Sequence, residues 1–535
     1  MKKIVLAIGL FSIAVLSNAQ KATITWGEIS KKETVFQQMI AGSDGEIIKL
    51  SSEVKGGGVS LFGFGGGGAT YTPVLTKYDN KFNDIKSNTF AADEKGTRMN
   101  GFLRIKNLIY LMGNKYDKET KSTSYFAQPI NVNTLNTEGG LVNFGSFEAR
   151  GGGWFSGPSE SIVKFISSKD SSKLLVFALT PYNKKENEKY YMAVYDDNMK
   201  KLWEKTVELP YLDKFVMMYD YFVTNQGEVG VLFKHYDQEV KKESVKVDGA
   251  RVPAYKTKLL IYNKTTTKPV EMVFNLNDKF VHDIDLTTDA TDNLTMFGTY
   301  KIKESGHVNG YFISTIDRKT NSVSLKKMDA FPQELIELLD EDDQGSKKEK
   351  DPGLQTWFRL KHNGLRENGS LDYVLEFYRM TEHTRTDSRG SSRTYYTYEY
   401  GDIIVINVNS AGKSTFVRIP KMQYSTDFTA ASGFVTLTYK NKLYFFYNDD
   451  KDNIIRDLAK KPESCTRFGK SSFVMTTVDE KGAFIREELF TNKDLPVTTC
   501  TNFCGVLSKN KISLYAQKID ALSGSKDMLG CLELK

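Results

Sequence analysis

The sequence predicts an all-β propeller of four-stranded blades, eight in number, whose last blade is closed by the N-terminal strand. Three observations predict it: β-rich runs that repeat along the chain and end in Asp or Asn, a strand-favouring composition, and the strands left over at the two ends. A seven-bladed ring with a stray hairpin is the alternative. Two packed β-sandwiches fit less well, because the repeat continues without a linker.

The repeat comes first. Runs at 74–79, 192–196, 259–263, 312–317, 404–409 and 474–479 end in Asp79, Asp196, Asn263, Asp317, Asn409 and Asp479. A polar turn and a second β-rich run follow each. Asp or Asn suits the first position of such a turn, because its side chain accepts from the backbone two residues on. Upstream of most of these hairpins lies another, as at 221–233, 284–297 and 162–178. Two hairpins make a four-stranded meander, the unit of a blade. Seven such units fall at about 36–90, 98–149, 160–211, 218–276, 282–330, 357–420 and 427–490.

Composition agrees with this reading. Aromatics make up 12% of the chain, with 28 Tyr and 33 Phe against 12 Pro, a mix that suits pleated, half-buried surfaces. The ends test the ring. After the seventh unit the chain offers three strands, near 497–507, 511–517 and 528–534, and before the first it offers one, at 22–29. Docking that strand on the outside of the final three completes an eighth blade, 497–534 plus 22–29, and seals an exposed edge. Residues 20–535 then form a single propeller domain, with a helical and charged insertion at 331–356.

With strands lettered a to d from the axis outward, the b–c and d–a connections lie on one face and the a–b and c–d turns on the other. The long segments 56–68, 150–158, 237–253, 331–357, 382–400 and 449–469 belong to the first class. One face is therefore decorated and the other trimmed. Binding residues concentrate on loops held by a rigid scaffold, so the decorated face is the functional candidate.

Candidate residues follow from those loops. Segment 382–400 combines Arg385, Arg389 and Arg393 with Tyr395, Tyr396 and Tyr398, residue types that anchor interfaces and suit an acidic glycan or a protein. A hairpin whose tyrosines simply alternate along a strand is the plainer reading. Trp154 and Phe155 stand in 150–158. The glycine tract 56–68 carries Phe62 and Phe64, with no Lys-Ser or Lys-Thr to make a phosphate loop, so it reads as a flexible tip or an apolar finger. The acidic run 340–343 lacks the ligand alternation of a calcium loop.

Charge and targeting set the class. The formal net charge is +7, with two of the positive charges on Lys2 and Lys3. Both signs are interspersed, without the concentrated basic stripe of a nucleic-acid protein. Residues 1–19 read as a signal peptide: Lys2 and Lys3, the apolar run 4–16, then Ser17 and Ala19 as small residues before Gln20. Export, to the periplasm or beyond, is the expectation, and no later run is apolar enough to span a membrane as a helix.

Cys465, Cys500, Cys504 and Cys531 are an even set in an exported chain, which suggests disulfides; free buried thiols or a metal site are the other readings. Catalytic motifs are not evident. His235, His282, His307, His362 and His383 are dispersed, no Gly-x-Ser-x-Gly elbow occurs, and His282-Asp283-Ile284-Asp285 reads as the start of a strand. The four Trp stand in unrelated contexts and no two cysteines are adjacent, so the docking motif and vicinal disulfide of eight-bladed quinone-dependent dehydrogenases are missing. No cofactor or metal is expected. The function this supports is a non-catalytic binding or scaffold propeller of the cell envelope that recognises a protein or glycan. The alternative is a carbohydrate-active hydrolase or lyase using carboxylates near the central channel.

Overall fold

The computed structural model describes residues 22–31, 34–42, 45–55, 70–92, 96–148, 162–236, 243–288, 293–318, 320–340, 353–386, 392–426, 429–518 and 526–535. Residues 1–19, which the sequence reads as a signal peptide, lie outside them. Among the described residues, eight antiparallel sheets of four or more strands follow one another along the chain. They are the eight blades. Their innermost strands are Val35–Ala41, Thr97–Ile105, Ile162–Ser167, Val216–Val223, Phe280–Thr288, Phe358–Leu365 and Val435–Tyr439, and in blade 8 the pair Thr498–Thr499 and Gly505–Ser508.

Each strand's pattern reflects its place in the blade. Second strands are buried on both faces and read as apolar runs, such as Lys173–Leu179, in which Leu174 to Ala178 are all buried. Outer strands alternate, as Lys201–Leu212 does, because one face meets solvent. The c–d turns behave as the repeat predicts. Asp79, Asp196, Asn409 and Asp479 each accept hydrogen bonds from the backbone N–H groups two and four residues on, at 2.8–3.1 Å. Asn263 instead accepts from the backbone two and three residues on, and Asp317 from the backbone three residues on. The fourth residue of the first four turns has positive φ: Gly412 and Gly482 adopt it freely, whereas Phe82 and Met199 accept the strain and bury their side chains.

Burial happens between blades. Leu174, Val176, Ala193 and Tyr195 of blade 3 pack on Tyr110, Met112 and Tyr125 of blade 2. Similar clusters fill every other seam, from blades 1 and 2 round to blades 8 and 1, where Tyr515 and Leu529 meet Phe36 and Met39. The helix Gln333–Asp340 in the 331–356 insertion sinks Leu335 and Ile336 into the seam between blades 5 and 6.

Long connections gather on the b–c and d–a side, with one departure. In blade 2 the b–c turn is the tight 118–121, and the longer segment is the c–d connection 131–141. The reason is packing. Asn131 folds this segment into a compact turn by accepting from Asn133 and Thr134, and Leu135, fully buried, plugs the seam with blade 1.

The chain's first strand closes the ring. Ala22–Trp26 pairs antiparallel with the third strand of blade 8, from Ala22 opposite Leu534 to Trp26 opposite Gly530. The strand is shorter than the sequence suggests, ending before Gly27, and pairing resumes at Ser30 and Lys31. Ser30 Oγ donates to Asp527 at 2.6 Å. Gly530 is required there, since a Cβ would stand 2.5 Å from the Trp26 ring.

Removing residues 22–31 is expected to cost about 4 kcal/mol, the burial of Ile24 and Trp26 together with an opened edge. Thermal unfolding should shift downward accordingly, and an unchanged melting temperature would refute closure by this strand. Gly530→Ala, by crowding Trp26, is expected to destabilise by about 1–3 kcal/mol in the same measurement.

Candidate functional site

Six innermost strands carry a bulge where they pair with their second strands. The extra residues are Gln37, Asn100, Tyr219, His282, Lys361 and Leu507, in blades 1, 2, 4, 5, 6 and 8. A bulge bends the strand and re-aims a side chain. In blade 6 it presents Lys361 to a pocket of about 400 Å³ beside the axis, where blades 6, 7 and 8 meet at the decorated face.

The pocket's polar groups differ in how far they are committed. Glu376 accepts from Lys421 Nζ at 2.8 Å; that lysine is fully buried and also donates to the Tyr400 carbonyl and to Gln423 Oε1. Gln423 in turn accepts from the backbone of Gly433, whose positive φ turns the chain into the pocket wall. Burial pushes the Tyr400 phenol up to about 12, so it stays protonated beside Asn502. Burial lowers His362, which lines the pocket as a neutral imidazole with its Nε2 unpartnered. Lys361 has no carboxylate partner among the described residues. Its ammonium lies 5.2 Å from the centre of the Tyr378 ring, and Tyr378 packs on Tyr400 with centroids 5.0 Å apart.

Beside this pocket the second and third strands of blade 6, Leu371–Thr386 and Ser392–Val408, run past the sheet as a long hairpin. Directly opposed residues share a face, and alternate pairs share the same one. Tyr378 with Tyr400, Met380 with Tyr398 and Glu382 with Tyr396 therefore occupy one face. His383 with Tyr395 occupies the other, and Arg385 belongs to that second face. His383 stacks on Tyr395, centroids 4.9 Å apart, and its Nε2 meets Thr397 Oγ1 at 2.9 Å.

The sequence-predicted binding residues are thus divided. Arg385 and Tyr395 lie on one side of the hairpin, Tyr396 and Tyr398 on the other, next to the pocket. Arg393 pairs with Arg385 through the backbone, and its side chain is outside the described ones. Arg389, Trp154, Phe155, Phe62 and Phe64 lie outside the described residues. Lys361, Tyr378 and Asn502 escaped the sequence reading. No local pattern marks a bulge or tells which strands from three blades converge.

A second polar feature lines the wall of the central channel. Asp220 of blade 4 hydrogen-bonds Asp285 of blade 5, which accepts from Asn363 of blade 6 at 2.6 Å. Burial and then the Asp285 charge push Asp220 up to about 7, and burial also raises Asp285. The pair holds a shared proton below neutrality. Carboxyls in hydrogen-bond contact are closer than the separations used in glycoside hydrolysis, about 5 Å or more. His282 lies within the strand Phe280–Thr288, its Nε2 3.0 Å from Arg359; burial and that cation push its pKa down to about 4. No group of three His, Cys, Asp or Glu suited to a metal occurs among the described residues.

No disulfide joins Cys465, Cys500, Cys504 and Cys531 in the structure, whereas their even count suggests pairing. Cys465 packs with Ala431 and Phe468, apart from Cys500, which lies with Phe36 and Tyr515. Cys504 caps its own turn on the Cys500 carbonyl at 3.5 Å. Burial raises the Cys465, Cys504 and Cys531 thiols, which keeps them protonated and unreactive.

Two measurements check these assignments. Because Asp220 is raised in the folded state, the folded protein binds its proton more tightly than the unfolded chain, so stability should fall as pH rises from about 4 through 7. Asp220→Asn should recover on the order of 2 kcal/mol at pH 8 and nothing at pH 4; equal effects at both would refute the shared proton. Alkylation of the denatured, unreduced protein should modify all four cysteines, with a disulfide-linked peptide as the contrary result.

No family model matches the chain, and no curated protein matches it either. Solved structures do. The β-propeller domain of the Trilobed protease from Pyrococcus furiosus is similar at 11% identity, over 87% of this chain and 98% of that one, with a TM-score of 0.34. The Dos1 propeller is similar at 10% identity, over 95% and 94%, with a TM-score of 0.39. A protein of unknown function from Dyadobacter fermentans is similar at 8% identity, over 70% and 94%, with a TM-score of 0.30. These are propeller likenesses at low identity, and they carry nothing about activity.

Proposed function

We propose that the chain is an exported, non-catalytic binding propeller of the cell envelope, which recognises a protein or glycan partner through its decorated face. The observation that carries this reading is the blade 6 hairpin. Its strands continue well past the sheet and hold partly exposed aromatic and basic side chains that close no seam; Tyr395 is 37% and Met380 48% exposed. Tyr and Arg in such a setting supply contact area at low entropic cost.

The carboxylates near the axis favour binding over catalysis. Glu376 is neutralised by Lys421, and Asp220 and Asp285 hold one another, so neither arrangement offers a carboxyl acid and a separate carboxylate across a substrate. Export rests on the basic and apolar leader at 1–19.

A pull-down tests the reading. The mature protein, and a form in which residues 384–394 are replaced by a short turn, are each offered to solubilised envelope proteins and glycans of the source cell. A partner retained only by the intact protein is the expected result. Equal retention by both forms, or none by either, would overturn the hairpin as the recognition element.

A further inference from the structure

We propose that the axial pocket and the tyrosine-bearing face of the hairpin form one continuous subsite for an acidic oligosaccharide, whose carboxylate is met by Lys361. This rests on the binding reading above and names its ligand class.

The pocket and the hairpin share Tyr400. It lines the pocket, and it is also the lowest rung of the ladder in which Tyr378 opposes Tyr400, Met380 opposes Tyr398 and Glu382 opposes Tyr396. Burial declines along it: Tyr400 is buried, Tyr398 and Tyr396 half-buried, Met380 exposed. Successive rungs on one strand face are about 7 Å apart, so three rungs reach on the order of 14 Å, the scale of a short run of linked pyranoses. A pyranose presents an apolar C–H face that packs on an aromatic ring and equatorial hydroxyls that bond phenol oxygens; tyrosine offers both. A peptide side chain in so open a site would lack the enclosing pockets that usually anchor it.

Charge selects the acidic sugar. At the pocket Glu376 is paired with the buried Lys421 behind it, His362 is neutral, and Lys361 remains as the cation without a carboxylate partner among the described residues; Glu382, the carboxylate of the ladder, lies two rungs away from Tyr378, opposite Tyr396. Its position over Tyr378 leaves the ammonium half in solvent, where a carboxylate can approach without displacing a salt bridge. Asn502 and Thr436 add polar groups at the opposite walls. The arginine-bearing face of the hairpin plays no part, because Arg385 and Tyr395 point away from the ladder.

The test is a calorimetric titration of the mature protein with uronate tetrasaccharides, one of galacturonate and one of mannuronate, against cellotetraose and maltotetraose. The expected result is binding of a uronate and at least tenfold weaker binding of the neutral sugars. Lys361→Gln should weaken the uronate about tenfold and flatten its salt dependence. Tyr398→Ala should weaken it severalfold, and Arg385→Gln should leave it unchanged. Unshifted melting temperatures in the variants show that the fold is intact. Equal binding of neutral and acidic sugars, indifference to Lys361→Gln, or loss with Arg385→Gln would each overturn the proposal. Absence of any sugar binding, while the hairpin-dependent pull-down still captures a protein, would overturn this ligand class and leave the binding reading standing. Failure of both would remove the reading as well.

Discussion

A four-stranded blade has two apolar faces and can bury neither by itself. Everything else in the molecule depends on that constraint. Each blade's middle strands, such as Leu174–Ala178, are apolar on both sides, and each face finds its cover only on the next blade. The seams form a ring of separate clusters, with no single central core. The pairing of Ala22–Trp26 with the last blade completes that blade's fourth strand and adds Ile24 and Trp26 to the seam between blades 7 and 8.

The same constraint frees the axis and the decorated face for other work. Because the seams hold the blades, the innermost strands tolerate a bulge in six blades, and the bulge of blade 6 brings Lys361 to the pocket. The buried network of Glu376, Lys421, Gln423 and Asp402 then stiffens the pocket floor where blades 6 and 7 meet. Each member is satisfied by another, which is the condition under which buried charge adds specificity instead of strain. The Asp220–Asp285 contact works differently: it binds blades 4 and 5 through a proton, and its strength depends on the medium.

What the sequence revealed and what it hid separate along physical lines. The c–d turns were legible because Asp79 or Asp479 acts on backbone only two to four residues away. Closure was legible as a deficit, three strands at one end and one at the other. Segment 131–141 departs from the trimmed face because Leu135 makes it a plug in a seam, and burial of one leucine leaves no local trace in the sequence. At the site, the Arg and Tyr content of 382–400 singled out the hairpin but not its two faces. Strand alternation separates Tyr395 from Tyr396 and Tyr398 once the register is known. Lys361 and Asn502 come from different blades and meet only in three dimensions.

The closing strand has a consequence for the order of events at synthesis. Ser30 and Asp527, bonded in the finished ring, are 497 residues apart, so the strand Ala22–Trp26 is made long before the strand it pairs with exists. During that interval blades can form one after another, each covering the last, while two terminal faces stay bare. The contact that locks the ring closes a loop of 497 residues, a slow contact by topology. A chaperone that shields the opening blade until then would act on the timing of assembly, leaving the final structure untouched.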